Sequence, residues 1–466
     1  METPFMRDLT RFARGASYER LPQEMKKLSK YAVLDVVGVA LAGWHEPAPT
    51  ILRRTLLEGA PDGKASLWGE KRRVAPNQAA LANGTASHAL DYDDVAPSVL
   101  THPSAPVLAA LIPMAEELGS SGKEVMTAYA VGTEVMSRIG IVLGYRHYDI
   151  GWHATDTLGT VGAAVACGHL MDLDGRPFAN AVAISGSLAG GLRKNFGTMT
   201  KPLHVGMAAS HAIEAVMLAS EGFTADEDIF GDNGYFTAFG GAAMKGRPVK
   251  FGRPFDLLAS GLSVKKFPCC YATHRLIKGV LDLREKHSLS LAGVNRVVCE
   301  LPPRAALPLI HHRPKTGLQA KFSAEYTVIA SLADGIINLR SFDDSEVNRP
   351  EIQRALEKVE IKERRGSVEQ GLEIEEEPIT VTIEIEGGKR YQTVVRYAPG
   401  SKNNPLTEEE RLQKWTDCVN YFCRRMHKHE GRSLSADSRE LFDKMLAIHS
   451  YPKFSDWMVE FTEKLL

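Results

Sequence analysis

Long apolar runs are missing from this chain. The longest, residues 31–43, is broken by Asp35 and falls short of the roughly 20 apolar residues that a membrane-spanning helix needs. The first twenty residues carry Arg7, Arg11, Arg14 and Arg20, without an apolar stretch or a small-residue cleavage site. Glu2, Asp8 and Glu19 run against a mitochondrial leader, so no membrane association and a cytoplasmic location are expected. An excess of either charge is missing too: 56 basic residues face 57 acidic ones. No whole-chain field gathers nucleic acid or anionic lipid, although a neutral chain still permits a basic pocket. Cysteine is sparse, six in 466 residues, too few for a disulfide scaffold. Cys269 and Cys270 are adjacent and Cys418 and Cys423 lie five apart, neither a zinc spacing. Cys167 and Cys299 sit in apolar runs, where a buried thiol is expected. No G-x-G-x-x-G follows a strand, and Walker lysine loops, H-E-x-x-H and G-x-S-x-G are absent; Gly186 to Gly190 has the wrong spacing for the last. These absences argue against a nucleotide cofactor, a catalytic zinc and serine-hydrolase chemistry, and no cofactor or metal is expected.

What is present is an ordered chain, 44% hydrophobic and 24% charged, long enough for about two to three domains. Residues 1–260 read as helices. Apolar residues recur at three and four from Leu21 to Ala42 and stop at Gly43. Ser121 and Glu124 form a capping box before a run ending near Gly140. Pro202 suits a first helical turn before Leu203 to Ser220, and Gly159, Ala163 and Cys167 allow close helix packing. Strand character begins later, at Asn295 to Leu301 and Ile379 to Ile385. The second of these is joined through Gly387 and Gly388 to Tyr391 to Tyr397 as a hairpin. Helix-like runs at His274 to Lys286, Ser323 to Ala333 and Pro350 to Val359 lie among these strands. Pro399 to Pro405 reads as a linker, and helix-like sequence returns after it. The expected fold is mostly α: a large all-helical domain built from both chain ends (1–264 and 401–466) with a smaller inserted α+β domain (265–400).

Four segments interrupt the helices with glycine and polar residues. The first holds His88, Asp91, Asp93 and Asp94, followed by Thr101, His102 and Ser104. Crowded carboxylates repel unless solvated, capped or paired, so this is either an acidic loop with a helix cap or a set that orients a histidine. The second, Gly151 to Thr157, places His153 where a helix begins, suited to proton transfer beside a bound carboxylate. The third runs from Gly190 into Lys201, His204 and His211, which share one helical stripe and suit an anion. The fourth, at the domain junction, holds Lys265, Lys266, Tyr271, His274 and Arg275; Lys321 and Tyr326 follow in the second domain. Each cluster alone is equally readable as structural histidine or solvated charge.

Taken together, ANGTASHALDYDD (82–94), THPSAP (101–106), GWHATDTLGTVGAA (151–164), NFGTMTKPLHVG (195–206), KKFPCCYATH (265–274) and KFSAEY (321–326) resemble the MmgE/PrpD family, in family order over most of the chain. That family includes 2-methylcitrate dehydratase, cis-aconitate decarboxylase and iminodisuccinate epimerase. The resemblance makes the inserted α+β domain a lid domain, and implies a homodimer and a metal-free active site between helical domain and lid. It carries Asp91, His102, His153, Lys201 and Lys265 into that site, with Tyr326 from the lid. Decarboxylases of the family place a Thr soon after the Asp pair, where this chain has Val95 and one extra residue before His102.

The expected activity is a cofactor-independent lyase acting on a small di- or tricarboxylic acid by proton abstraction beside a carboxylate. A dehydratase of the 2-methylcitrate type leads, with a dicarboxylate epimerase or a cis-aconitate-type decarboxylase as alternatives. His153, Lys201, Asp91 and His102 are the expected catalytic residues. Lys265, Tyr326, His274, Arg275 and His204 are expected to bind substrate. Clustered cations offset the charge of the acid and of the enolate that forms from it. A non-catalytic carboxylate-binding protein on the same fold is the remaining alternative.

Overall fold

Apolar residues at helical spacing give nearly every segment before residue 260 a face to bury. The structure, a computed structural model, describes residues 4–240, 249–369, 371–426 and 438–466. Its body is built from α1 (Gln23–Gly43), α2 (Pro76–His88), α3 (Ser104–Leu118), α4 (Gly122–Asp149), α5 (Ala154–Leu170), α6 (Gly175–Leu188) and α7 (Thr200–Ser220). Helix α5 runs through the middle, and small residues let its neighbours close on it. A Cβ on Gly159 would lie 2.8 Å from Pro106 of α3, and one on Gly162 2.8 Å from Met136 of α4. Helices α2 and α7 touch backbone to backbone, a Cβ on Gly84 falling 2.9 Å from the Gly206 Cα. That crossing brings His88, at the end of α2, to Lys201 at the start of α7.

The second unit contains α8 (His274–His287), β1 (Val294–Leu301), α9 (Ala324–Asp334), β2 (Val359–Glu363), β3 (Ile379–Ile385) and β4 (Arg390–Val395). The sheet order is β2-β1-β3-β4, with β1 and β2 parallel and the other pairs antiparallel. Alternation in β3 buries Ile379, Val381 and Ile383 against α8, where Gly279 lets the helix approach Val381. Two apolar cores lie within residues 267–395. A larger one extends over residues 6–257 and takes in Trp415, Phe422, Phe442, Trp457 and Phe461 from α10 (Glu408–Met426), α11 (Ser438–Leu446) and α12 (Phe454–Leu465). Gly38 of α1 is the seat for Trp415, whose ring a Cβ would meet at 2.9 Å. The fold is therefore mostly α with a small sheet domain, as the sequence implies.

Several local readings change. The Ser121 capping box forms as expected, but α4 continues past Gly140 to Asp149, broken only at Gly144 with φ 63°. A left-handed residue there costs glycine little, and the chain beyond it carries Tyr145 and Tyr148 toward the second unit. Residues 350–359 are not one helix: Pro350–Ala355 gives way to a 3-10 turn, and β2 begins at Val359. That strand is only half-buried, so its apolar alternation is faint. A two-residue ladder, Ala65–Ser66 with Arg73–Val74, also appears in the helical half. The stretch from Pro399 is no solvated string, because the Val264 amide donates to the Gly400 carbonyl at 2.9 Å. The two chain crossings between the units are thus hydrogen-bonded to each other. No helix among the described residues is long and apolar enough to cross a membrane. All six cysteines are unpaired thiols, and Cys167 and Cys299 are buried.

Candidate active site

Helix α2 ends at His88, and the chain turns sharply to deliver Asp91 and Asp93. Asp91 has φ 52°, a left-handed conformation uncommon outside glycine. Its carboxylate receives Lys201 Nζ at 2.5 Å and Lys265 Nζ at 3.0 Å, with His102 Nε2 3.8 Å away. Burial would raise the Asp91 carboxyl, but Lys201 and Lys265 hold it well below the ordinary carboxylate range. Lys265 is pushed up in turn, its burial outweighed by Asp91 and Asp93.

Asp93 lies against two histidines, His88 Nδ1 at 2.9 Å and His102 Nδ1 at 3.2 Å. Burial opposes its charge, and the two rings keep its carboxyl well below the usual value. With Nδ1–H given to Asp93, His88 presents its Nε2 lone pair to Lys201 Nζ, 2.7 Å away. Burial lowers the His88 pKa to about 4, so the ring accepts rather than carries charge. Lys201 is therefore held between Asp91 and His88, with its ammonium over the Phe196 and Phe322 rings. Asp94 turns the other way and is structural: Ser104 donates to it from Oγ at 2.5 Å and from its amide at 3.3 Å, anchoring the start of α3. Burial and Asp35 push the Asp94 carboxyl up to about 8.

His153 occupies the residue before α5 and is fixed through its amide, which donates to the Gly191 carbonyl at 3.0 Å. Its Nδ1 faces His204 Nδ1 at 3.0 Å, and its buried Nε2 has no hydrogen-bond partner. Burial first, then Lys201 and the neighbouring histidines, drive His153 well below the ordinary imidazole range. His204 is lowered to about 4 by burial, His88 and Lys201. His102 is lowered as well, mainly by burial.

A cavity of about 100 Å³ opens over these groups at the junction of the two units. Asp91, His102, His153, Thr155 and Lys201 form its polar floor. Val95, Leu100, Tyr148, Phe196, Phe322 and Ile374 make much of an apolar wall. Arg275, Arg304, Tyr271 and Glu375 reach it from the second unit.

The structure thus gathers Asp91, His102, His153 and Lys201 on one cavity, and it distributes the other expected residues differently. Lys265 and His204 stand behind the floor, bonded to Asp91 and His153. Arg275 borders the cavity, but its guanidinium is spent on the carbonyls of Ile374 and Glu377 at 2.9 and 2.6 Å. His274 is fully buried against the Cys269 carbonyl. Tyr326 faces the interior of the second unit, where its hydroxyl donates to the Ser341 carbonyl. Neither of these last two touches the cavity, because each satisfies a buried carbonyl that would otherwise lack a donor. His211 leaves the stripe to meet the Leu188 carbonyl. His88 and Asp93, inside the first motif, and Arg304, Tyr148 and Glu375, outside every motif, belong to the site or its support without being among the residues the sequence points to. The five-residue spacing from His88 to Asp93 across a tight turn was the available signal for that pair.

Among the described residues, His88, Asp91, Asp93 and His102 have potential metal-ligand atoms within 4.8 Å of one another. Those atoms already face one another and two ammonium groups, Lys201 and Lys265, which leaves a cation competing with charges in place.

A family model for the MmgE/PrpD N-terminal domain matches residues 7–246, and one for the MmgE/PrpD C-terminal domain matches 267–439. The chain is 29% identical over 365 residues to the cis-aconitate decarboxylase of Homo sapiens, covering 75% of this chain and 74% of the human protein. It is 23% identical over 463 residues to the cis-aconitate decarboxylase-like protein oryM of Aspergillus oryzae, covering 92% and 94%. Similarity to the cis-aconitate decarboxylase of Aspergillus terreus is 23% over 376 residues, covering 76% and 77%.

Proposed function

The chain belongs to the MmgE/PrpD family, and from that premise we propose that it is a lyase for a small di- or tricarboxylic acid, working by proton transfer at the carbon beside a carboxylate. The observation that carries this reading is the neutral His153, with Nε2 unpartnered on the same cavity as the Lys201 ammonium. As base, His153 keeps its own proton on Nδ1, donated to His204, and takes the carbon-bound proton on Nε2. The electron pair moves into the carboxylate, and Lys201 donates to the enediolate oxygens. Asp91 holds Lys201 in place, while Lys265 keeps Asp91 from swinging away. Departure of hydroxide from the next carbon, taking a proton from Lys201, completes a dehydration.

Loss of carbon dioxide is the second reading, favoured by the cis-aconitate decarboxylases among the similar proteins and by the apolar wall. A carboxylate pressed against Val95, Leu100 and Phe322 loses its water, which favours cleavage of its C–C bond. The electron pair then stays on carbon, and Lys201 supplies the proton. Val95 stands where the resemblance to decarboxylases implies a Thr, and this departure counts against cis-aconitate as the acid. No metal is part of either route, and a homodimer belongs to the same reading.

Incubation with citrate, 2-methylcitrate, cis-aconitate and an iminodisuccinate-like acid in deuterated water, followed by NMR, tests this. An unsaturated product with loss of water identifies the dehydratase, and carbon dioxide with a deuterated product identifies the decarboxylase. Deuterium in recovered substrate alone shows an epimerase. Turnover of none of these acids, with one of them raising the melting temperature, replaces the lyase by a binding protein. Activity survives chelator treatment on this reading, and its loss overturns the metal-free route. Light scattering checks the dimer.

A further inference from the structure

Asp35, the residue that interrupts the longest apolar run, lies in α1 with its side chain largely covered and pairs with Lys414 of α10. Lys414 Nζ lies 2.7 Å from its Oδ1, and the two side chains are only 6% and 8% exposed. Its Oδ2 has no hydrogen-bond partner. A buried ion pair of this kind is a poor stabiliser, because apolar residues of similar volume serve a core as well or better. Lys414, however, has a second task. Its Nζ donates to the Tyr92 carbonyl at 2.9 Å and stands 4.2 Å over the Tyr92 ring. One residue earlier, Lys265 Nζ donates to the Asp91 carbonyl at 2.7 Å. Two consecutive carbonyls, flanked by the Asp91 and Asp93 carboxylates, are thus each held by a buried ammonium. One comes from the start of the second unit and the other from the last third of the helical body. The Tyr92 hydroxyl adds a third tie, donating to the Lys266 carbonyl at 3.1 Å.

We propose that Lys414, with Asp35 as its counter-charge, is a positioning residue for the catalytic turn: by holding the Tyr92 carbonyl it aims Asp91 at Lys201 and Asp93 at His88 and His102. Neither Lys414 nor Asp35 borders the active-site cavity, so neither touches substrate. The left-handed backbone at Asp91 persists because the surroundings over-determine it, and Lys414 is one of the groups that do so. Released from Lys414, the peptide after Tyr92 rotates and both carboxylates lose their partners. The kinetic part of this inference rests on the lyase reading; the structural part does not.

The test uses the full chain with Lys414→Met, Asp35→Asn and the double variant Asp35→Leu/Lys414→Met. The double variant removes both charges and leaves no unpaired carboxylate to unfold the core. Expected for Lys414→Met and for the double variant is a fall in kcat of at least about tenfold with KM within about twofold, the pattern of a lost transition-state interaction. Amide hydrogen exchange over residues 89–95 should rise at least about tenfold in both, while α5 and α7 keep wild-type protection. Asp35→Asn retains the lysine–carbonyl bond and should keep most of the activity and protection. Unchanged exchange over 89–95 in the folded double variant overturns the brace. Raised exchange with wild-type kcat overturns its positioning role. Should the wild-type protein turn over no acid, the lyase reading fails, and exchange alone decides the brace.

Discussion

His153 keeps one ring nitrogen bonded to His204 and the other unpartnered on the cavity, and that asymmetry sets what its replacement costs. His153→Ala and Lys201→Ala should each lower kcat at least about a hundredfold, the usual scale for an acid–base group; near-wild-type rates in both sink the assignment. The acid limb of the rate is informative as well. With His153 as the proposed base, the neutral ring is the working form, so activity is lost on the acid side, and burial with Lys201 nearby moves that loss below the ordinary imidazole range. A profile of kcat/KM against pH should therefore run level through about pH 6 to 7, where an unperturbed histidine titrates. An inflection there assigns the proton to another group. At this scale the sequence was legible where charge and glycine interrupt apolar helices: Asp91, His102, His153 and Lys201 all lie in such breaks. It was not legible where one residue type serves either the fold or the site. Tyr326 and His274 satisfy buried carbonyls, while Glu375 and Arg304 reach the cavity from stretches with no pattern at all.

Helices α2 and α7 bring together His88 and Lys201 only because glycine stands at both faces of their crossing. A Cβ on Gly206 would lie 2.3 Å from the Leu81 carbonyl oxygen. Gly206→Val should thus force the helices apart, costing about 1–3 kcal/mol of stability as overpacking does. Lengthening the His88–Lys201 contact should lower kcat beyond what the lost folded fraction explains. Urea titration alongside kinetics separates the two effects, and a variant with unchanged midpoint and rate removes this account of the crossing. Helices of this kind were readable from period and caps, as with Ser121 and Glu124. Strand β2 was not, since Val359–Glu363 is short and half-exposed and borrows its geometry from β1. Nor was the continuation of α4, because Gly140 is accommodated within regular helix and the break falls at Gly144 instead.

The whole molecule holds several carboxyls in forms that water would not allow. Burial raises Asp94 to about 8 and both Asp156 and Glu116 to about 7. Each binds a proton in the folded chain that it lacks when unfolded, so their contribution is complete below the unfolded carboxylate pKa and is lost as pH rises through the folded value. Histidines become neutral in both states only about a unit above their unfolded pKa, near pH 7.5; below that, the buried neutral rings add stability with rising pH and oppose the carboxyls. With Asp94 still titrating there, the melting temperature should fall between about pH 7.5 and 8.5; scanning fluorimetry showing a rise across that range contradicts the assignment. The mostly α plan, with a small sheet domain, was legible at this scale through the late onset of β-branched sequence. The Val264–Gly400 bond between the two crossings was not, because a run rich in Pro, Gly and Asn carries the composition of a solvated loop whether or not it packs. One feature reaches into how the protein is made. The turn carrying Asp91 takes one tie from Lys265 and another from Lys414, so a chain growing from its N-terminus on the ribosome has all its acid–base groups long before it has the second tie. If Lys414 positions the turn as proposed, its alignment waits until synthesis has passed residue 414, well after the last of those groups has been made.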